Sequence, residues 1–226
     1  LSAEGYRINH TGNQVTITSP TDKGLLYAAY HLIRLQQTQE WDKTTLPIVE
    51  NPVFPIRILN HWDNLDGTIE RGYAGKSLWN WEELPAILSP RYETYARANA
   101  SIGINGTVLN NVNASPQILS APYLQKVKSL ADAFRPYGIK VYLSVNFASP
   151  MVLDSLETAD PLNKEVIRWW KNKVKEIYQL IPDFGGFLVK ANSEGQPGPC
   201  DFGRTHAEGA NMLADALKPF KGIVMW

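Results

Sequence analysis

The sequence predicts an α/β protein: part of a TIM (β/α)8 barrel, with about five strands present, preceded by the C-terminal part of a small α/β domain. Three observations predict it. From Phe54 onward, five short apolar runs alternate with helical stretches long enough to serve as parallel crossovers. Polar side chains gather at the carboxyl end of the runs: Asn60-His61-Trp62-Asp63-Asn64, Asn110-Asn111-Val112-Asn113, Asn146, and Lys190 to Glu194. Strand ends converging on one mouth are how a barrel builds a site. No G-x-G-x-x-G turn follows the first run, which a doubly wound dinucleotide sheet would want. A full barrel takes roughly 250 residues, so residues 54–226 hold only some of its eight units.

Residues 1–50 read differently and form the predicted small domain, with residues 51–226 as the barrel part. Arg7-Ile8-Asn9 and Gln14-Val15-Thr16-Ile17-Thr18 flank Thr11-Gly12-Asn13, a hairpin pattern. A helix from about Gly24 to Gln37 follows, with Leu25, Ala28, Ala29, Leu32 and Leu35 as its apolar stripe. Asn51-Pro52 and Phe54-Pro55 mark the linker. The barrel part then runs as strand 56–60, a long polar and aromatic loop, helix 91–100 and strand 107–110. Helix 121–135 carries Leu124, Val127, Leu130, Ala131 and Phe134 at helical spacing, and strand 139–145 follows Gly138. Helix 163–180 repeats the pattern with Val166, Trp170, Val174 and Ile177. It leads to strand 184–189, and Thr205 with Glu208 predicts a capping box for the helix before the run Gly222 to Trp226.

Composition excludes several function classes. With 22 basic and 22 acidic residues the net charge is zero, so no global field favours nucleic acid or an anionic membrane. Basic residues never interleave with aromatics as in a nucleic-acid groove. No apolar run reaches the roughly 18 residues of a membrane span. The single cysteine, Cys200, excludes an intrachain disulfide and a cysteine-based metal site, and reads as a bystander. Seven tryptophans hint at sugar stacking or a polar-rimmed apolar pocket.

The chain is organised around Phe184 to Pro199. Its first half is a short apolar run; its second half is too rich in Gly and Pro to continue a strand or a helix. Lys190, Asn192, Ser193 and Glu194 sit at the junction, where barrels place their chemistry. Under period-two alternation Lys190, Asn192 and Glu194 share a face. The competing reading makes Glu194 a solvated loop carboxylate with Lys190 as its partner. Amides and tryptophan at strand ends suit a polyhydroxylated substrate, since amides donate and accept while Trp stacks on a sugar face. For Asn110, Asn111 and Asn113 the alternative is turn chemistry. His61, Asp63, Asp66 and Glu70 lie close in sequence but match no metal-ligand spacing. No metal and no cofactor are expected, and His206 reads as a surface residue.

Lys190-Ala-Asn-Ser-Glu-Gly-Gln-Pro-Gly-Pro199, Leu59-Asn-His-Trp-Asp-Asn-Leu-Asp-Gly67 and Glu70-Arg-Gly-Tyr-Ala-Gly75 resemble the family 67 α-glucuronidases. The segment from Gly24 to Leu35 is similar to the end of that family's small N-terminal domain. The resemblance implies an inverting hydrolase that removes (4-O-methyl-)glucuronic acid from the terminal xylose of glucuronoxylan-derived oligosaccharides. It implies Glu194 as general acid, and Lys190 and Trp62 as contacts to the uronic acid. His61, Asn113 and Asn146 are further candidate substrate-binding residues. The water-activating carboxylates implied by the family would lie beyond residue 226.

A glycosidic oxygen is a poor leaving group, so a protonated carboxyl must donate to it. Glu194 would therefore need a raised pKa, which a nearby Lys190 opposes until an anionic substrate offsets it. The run ending at Trp226 is expected to belong to a longer protein, with an open strand edge in this span. A homodimer through residues beyond 226 and a cytoplasmic location are further expectations. The alternatives are a sugar-binding barrel without turnover and a hexosaminidase-like glycosidase. The latter would want an Asp before Glu194, where Ser193 stands.

Overall fold

A computed structural model describes residues 1–226 and contains two sheets. The first is antiparallel, in the order β2-β1-β3, built from β1 (Tyr6–Thr11), β2 (Gln14–Thr18) and β3 (Ile48–Glu50). Its hairpin is the one the sequence predicts, and Gly12 supplies the positive φ of the turn. The strand β3 has no counterpart in the sequence reading; three residues give periodicity too little to register. Helix α1 (Asp22–Gln37) packs on this sheet, its N-terminus capped by the Thr21 hydroxyl accepting from the Gly24 amide.

The second sheet is parallel, in the order β4-β5-β6-β7-β8, and curls into a half-barrel. Its strands are β4 (Ile58–Asn60), β5 (Gly106–Val108), β6 (Lys140–Val145), β7 (Gly186–Val189) and β8 (Ile223–Met225). Between them run α2 (Pro90–Ser101), α3 (Ala121–Phe134), the short α4 (Ser149–Asp154), α5 (Lys164–Leu180) and α6 (His206–Leu217). The predicted helices all form. The addition is α4, a single short segment starting three residues after Asn146.

Alternation along the strands separates two faces. Val141, Leu143 and Val145 join the main core with Phe187 and Val189, against the apolar stripes of α3 and α5. Tyr142, Ser144, Leu188 and Lys190 alternate to the other, concave face. There the Tyr142 ring lies flat over glycine: a Cβ on Gly106 or Gly185 would come within 2.7 or 2.2 Å of it. Three of the seven tryptophans belong to the core. Trp79, Trp81 and Trp170 are buried, so the composition hint of sugar stacking is corrected to packing for these three. Trp62 alone of the tryptophans stands at the end of a parallel strand before Trp226, and it is exposed.

Glu4 ties the small sheet to the barrel at its amino end. Its carboxylate meets Arg57 at 2.5 Å and Lys23 at 3.1 Å, and accepts from Asn105 at 3.2 Å. Burial raises its pKa, but these partners outweigh it and hold the carboxyl below its usual range. The carboxyl ends of the strands, at the opposite rim, are free to carry a site.

Candidate active site

The rim is assembled from four loops. The first follows β4 and is pinned by amides. Asn64 donates to Thr68 and to the Glu70 carbonyl, both at 2.9 Å, and Asn111 donates to the Asn64 side chain and to the same carbonyl, also at 2.9 Å. Asp63 is 2% exposed and accepts from the Ser77 hydroxyl at 2.5 Å and the Leu78 amide at 2.6 Å. Its other oxygen lies 3.4 Å from His61 Nδ1. Burial raises the Asp63 pKa, and the bonds from His61, Ser77 and Leu78 more than reverse that, leaving it lowered.

The structure separates His61 from Trp62. His61 turns toward the helix side, where Nε2 meets the Tyr95 hydroxyl at 2.7 Å and the ring edges against Trp79. Trp62, one residue on, takes the opposite parity and is exposed at the rim. His61 thus buttresses Asp63, and no contact joins it to Lys190 or Glu194. Applied to the pair, strand alternation already distinguishes these neighbours.

The loops after β5 and β6 supply amides with divided duties. Asn110 is buried and exchanges hydrogen bonds with the backbone of Ser144, donating to its carbonyl and accepting from its amide, each at 2.9 Å. It extends the β5–β6 ladder by a side chain, the structural alternative for this position. Asn113 faces the site: its Oδ1 accepts from Lys190 Nζ at 3.0 Å. Asn146 caps the start of the segment before α4 through the Ala148 amide, and its NH₂ lies 3.3 Å from Gln196 Oε1. A cleft of about 320 Å³ between the first two loops is lined by Asp63, Asn64, Asp66, Asn110, Asn111 and Asn113, among others.

After β7 the chain leaves the extended conformation. Asn192 and Glu194 both adopt positive φ, at 50° and 48°, and Gln196 N donates to Ser193 O at 2.9 Å to close a tight turn. The expected period-two face therefore does not persist. Asn192 turns into the loop and accepts from the Cys200 amide at 3.0 Å, while Lys190 and Glu194 meet by the turn. Lys190 Nζ donates to Glu194 Oε2, and Arg71 Nη2 reaches the same oxygen at 3.3 Å. Lys190 is largely covered, whereas the Glu194 side chain is 55% exposed.

The opposition of Lys190 to a raised Glu194 pKa, expected from the sequence, is what the geometry shows. Lys190, by hydrogen bond and by charge, and Arg71 hold the carboxyl below its usual range. The solvated carboxylate paired with Lys190 is what the geometry presents at rest. Arg71 and Gln196 escaped the sequence reading as site residues. Arg71 sits inside the motif from Glu70 to Gly75, but 123 positions from Glu194 no spacing links the two. His206 is exposed at the start of α6, as expected, and its Nδ1 accepts from Trp226 Nε1 at 3.1 Å.

Chemically, this rim offers one carboxylate flanked by two cations, amides able to bond hydroxyls, and one exposed indole. Residues 34–226 match the glycosyl hydrolase family 67 middle domain. The whole chain is 46% identical to a probable alpha-glucuronidase A from Neosartorya fischeri and 45% identical to an alpha-glucuronidase from Hypocrea jecorina. It spans 27% of the length of each. Among solved structures, 97% of the chain superposes on 28% of a family 138 glycoside hydrolase that targets pectin rhamnogalacturonan II, with a TM-score of 0.58 at 16% identity. All of it superposes on 58% of a β-N-acetylhexosaminidase, with a TM-score of 0.55 at 14% identity. Those two show a shared fold. The family model covers most of the chain, and the chain belongs to glycosyl hydrolase family 67.

Proposed function

We propose that the full-length protein is an α-glucuronidase. It hydrolyses the α-1,2 bond between (4-O-methyl-)glucuronic acid and the terminal xylose of xylo-oligosaccharides. Family membership and the names its relatives carry support the reaction class. The observation that carries the reading is the pairing of Glu194 with Lys190 at the carboxyl end of β7, with Asn113 on the lysine's other side.

Each group then has a duty. Lys190 pairs with the uronate carboxylate, as a desolvated cation on a largely covered stem can. Trp62 stacks on the sugar face, and Asn113 and Asn146 bond its hydroxyls. Glu194 donates its proton to the departing xylose oxygen as the glycosidic bond breaks. Water, deprotonated by a carboxylate beyond residue 226, attacks the anomeric carbon from the opposite face and inverts it. A hexosaminidase-like course would want an Asp before Glu194, and Ser193 stands there, its carbonyl engaged in the turn.

The test is to follow hydrolysis of aldouronic acids by NMR with the full-length protein. The reading expects (4-O-methyl-)glucuronic acid, released first as the β anomer. Absence of release, or first appearance of the α anomer, would overturn it.

A further inference from the structure

The pairing of Glu194 is at odds with the role proposed for it. One oxygen, Oε2, receives both Lys190 Nζ and Arg71 Nη2, and the side chain is half exposed beside them. A carboxylate so paired keeps its charge and has no proton to give. Of the three donors on the Lys190 ammonium, Asn113 takes one and Glu194 another, so an arriving uronate meets a charge already shared with an anion. The two anions compete for one ammonium.

Resting on the α-glucuronidase reading, we infer that a bound uronate displaces Glu194 from Lys190, and that this exchange loads the acid with its proton. The ligand carboxylate takes the ammonium; Glu194, now beside an added negative charge, binds a proton from solvent. Charge balances: one anion arrives and one proton follows it. Arg71 is the positioning residue. Held by the loop that Asn64 and Asn111 pin, it keeps Oε2 at the rim, while Oε1, which neither cation contacts, takes the proton.

The charged surroundings permit this. Within residues 1–226, Lys190 and Arg71 are the cations that face Glu194, and Glu70 lies behind Arg71 at 3.9 Å from its Nε; the carboxylate proposed to activate water adds negative charge from beyond them and favours the protonated acid. The ends of β5 and β6 present neutral amides, Asn113 on Lys190 and Asn146 on Gln196. Asp63 and Asp66 line the neighbouring cleft, Asp63 with its oxygens already engaged. A neutral sugar leaves Lys190 with Glu194 and the acid unprotonated. Selectivity for uronates then comes from the proton as well as from the contact.

The experiment is calorimetric binding of D-glucuronic acid to the full-length protein in buffers of different ionisation enthalpy. It is run from the ordinary carboxylate range up to about pH 6–7, where enzymes tune such acids. Proton uptake approaching one per site is expected for glucuronic acid and none for D-glucuronamide, its neutral analogue. In Glu194→Gln, glucuronic acid should still bind with no uptake. Binding without uptake in the wild type, or uptake that persists in Glu194→Gln, would overturn the inference. Failure of glucuronic acid to bind at all would overturn the α-glucuronidase reading and the inference with it. For Arg71→Gln, the basic limb of kcat/KM should move to higher pH, because one of the cations that depress Glu194 is gone, while kcat falls at every pH. Arg71→Lys should restore much of both. An unmoved basic limb in Arg71→Gln would remove Arg71 from the account.

Discussion

Asp63 and Glu194 stand on the same rim, at the ends of β4 and β7, and are built by opposite means. Asp63 is 2% exposed, with its oxygens taken by Ser77, Leu78 and His61. Glu194 is half exposed, sits at positive φ, and bonds only to the ends of two long cations. Both carboxyls have lowered pKa values, yet for different reasons: burial outweighed by hydrogen bonds from His61, Ser77 and Leu78 in one case, the Lys190 hydrogen bond and the charges of Lys190 and Arg71 in the other. The first is an anchor whose loss leaves buried donors unpaired. The second is a solvent-facing group held by two cations alone. A low pKa alone therefore does not tell a buried anchor from an exposed ion pair; burial and the kind of partner do.

Breaking the anchor should have the largest effect on the fold. Asp63→Ala strands the Ser77 hydroxyl and the Leu78 amide, and should lower the stability of the full-length protein by about 2–4 kcal/mol in denaturant titration. The carboxyl also sets a pH dependence. Its folded pKa lies below the unfolded value, so its contribution is complete above the ordinary carboxylate range and is lost as pH falls through the folded value. Asp63→Asn should flatten that acid limb of stability. An unchanged limb would assign it to other groups, Glu4 first among them.

Asn110→Ala comes next, at about 1–3 kcal/mol, since one buried amide bonds both backbone groups of Ser144. A loss below about 0.5 kcal/mol would mean that the β5–β6 ladder closes without it.

On the other side of the comparison, Lys190→Ala and Trp62→Ala should leave the melting transition nearly unmoved and act on ligands. Lys190→Ala should weaken glucuronic acid far more than a neutral glucose analogue, whereas Trp62→Ala should weaken both, because stacking does not depend on charge. Equal losses for both ligands in Lys190→Ala would take the lysine off the carboxylate. The smallest effect is expected from Glu194→Gln on stability. An exposed ion pair contributes little to folding, and the unfolding midpoint should not shift measurably.

The same contrast explains what was legible in the sequence. Helices with long apolar stripes, such as Val166-Trp170-Val174-Ile177, announced themselves, as did the Thr205–Glu208 capping box. Lys190 and Glu194 were legible as a pair because they are four residues apart. Asn113 joins them as expected for a site amide, and Asn146 reaches only Gln196. What stayed hidden depends on tertiary placement. Arg71 arrives from another loop, whereas the helix-side placement of His61, against Tyr95 and Trp79, follows from a strand alternation that the sequence does carry. The turn at 192–196 also breaks the alternation that would have aimed Asn192 into the site. Local pattern fixes which residues are near the rim, and packing decides which of them face it.

The central claim is that Glu194 is the general acid, and leaving-group dependence tests it most directly. General acid catalysis contributes about 10²–10⁴-fold, and only when the departing oxygen needs a proton. Glu194→Ala in the full-length protein should nearly abolish cleavage of natural aldouronic acids, whose leaving group is a sugar hydroxyl. A glucuronoside with a nitrophenol or fluoride leaving group should be cleaved much closer to the wild-type rate, and the basic limb of the pH profile should vanish. Equal loss of activity on both substrate types, with the basic limb intact, would contradict the claim and leave Glu194 as a residue that only positions the substrate.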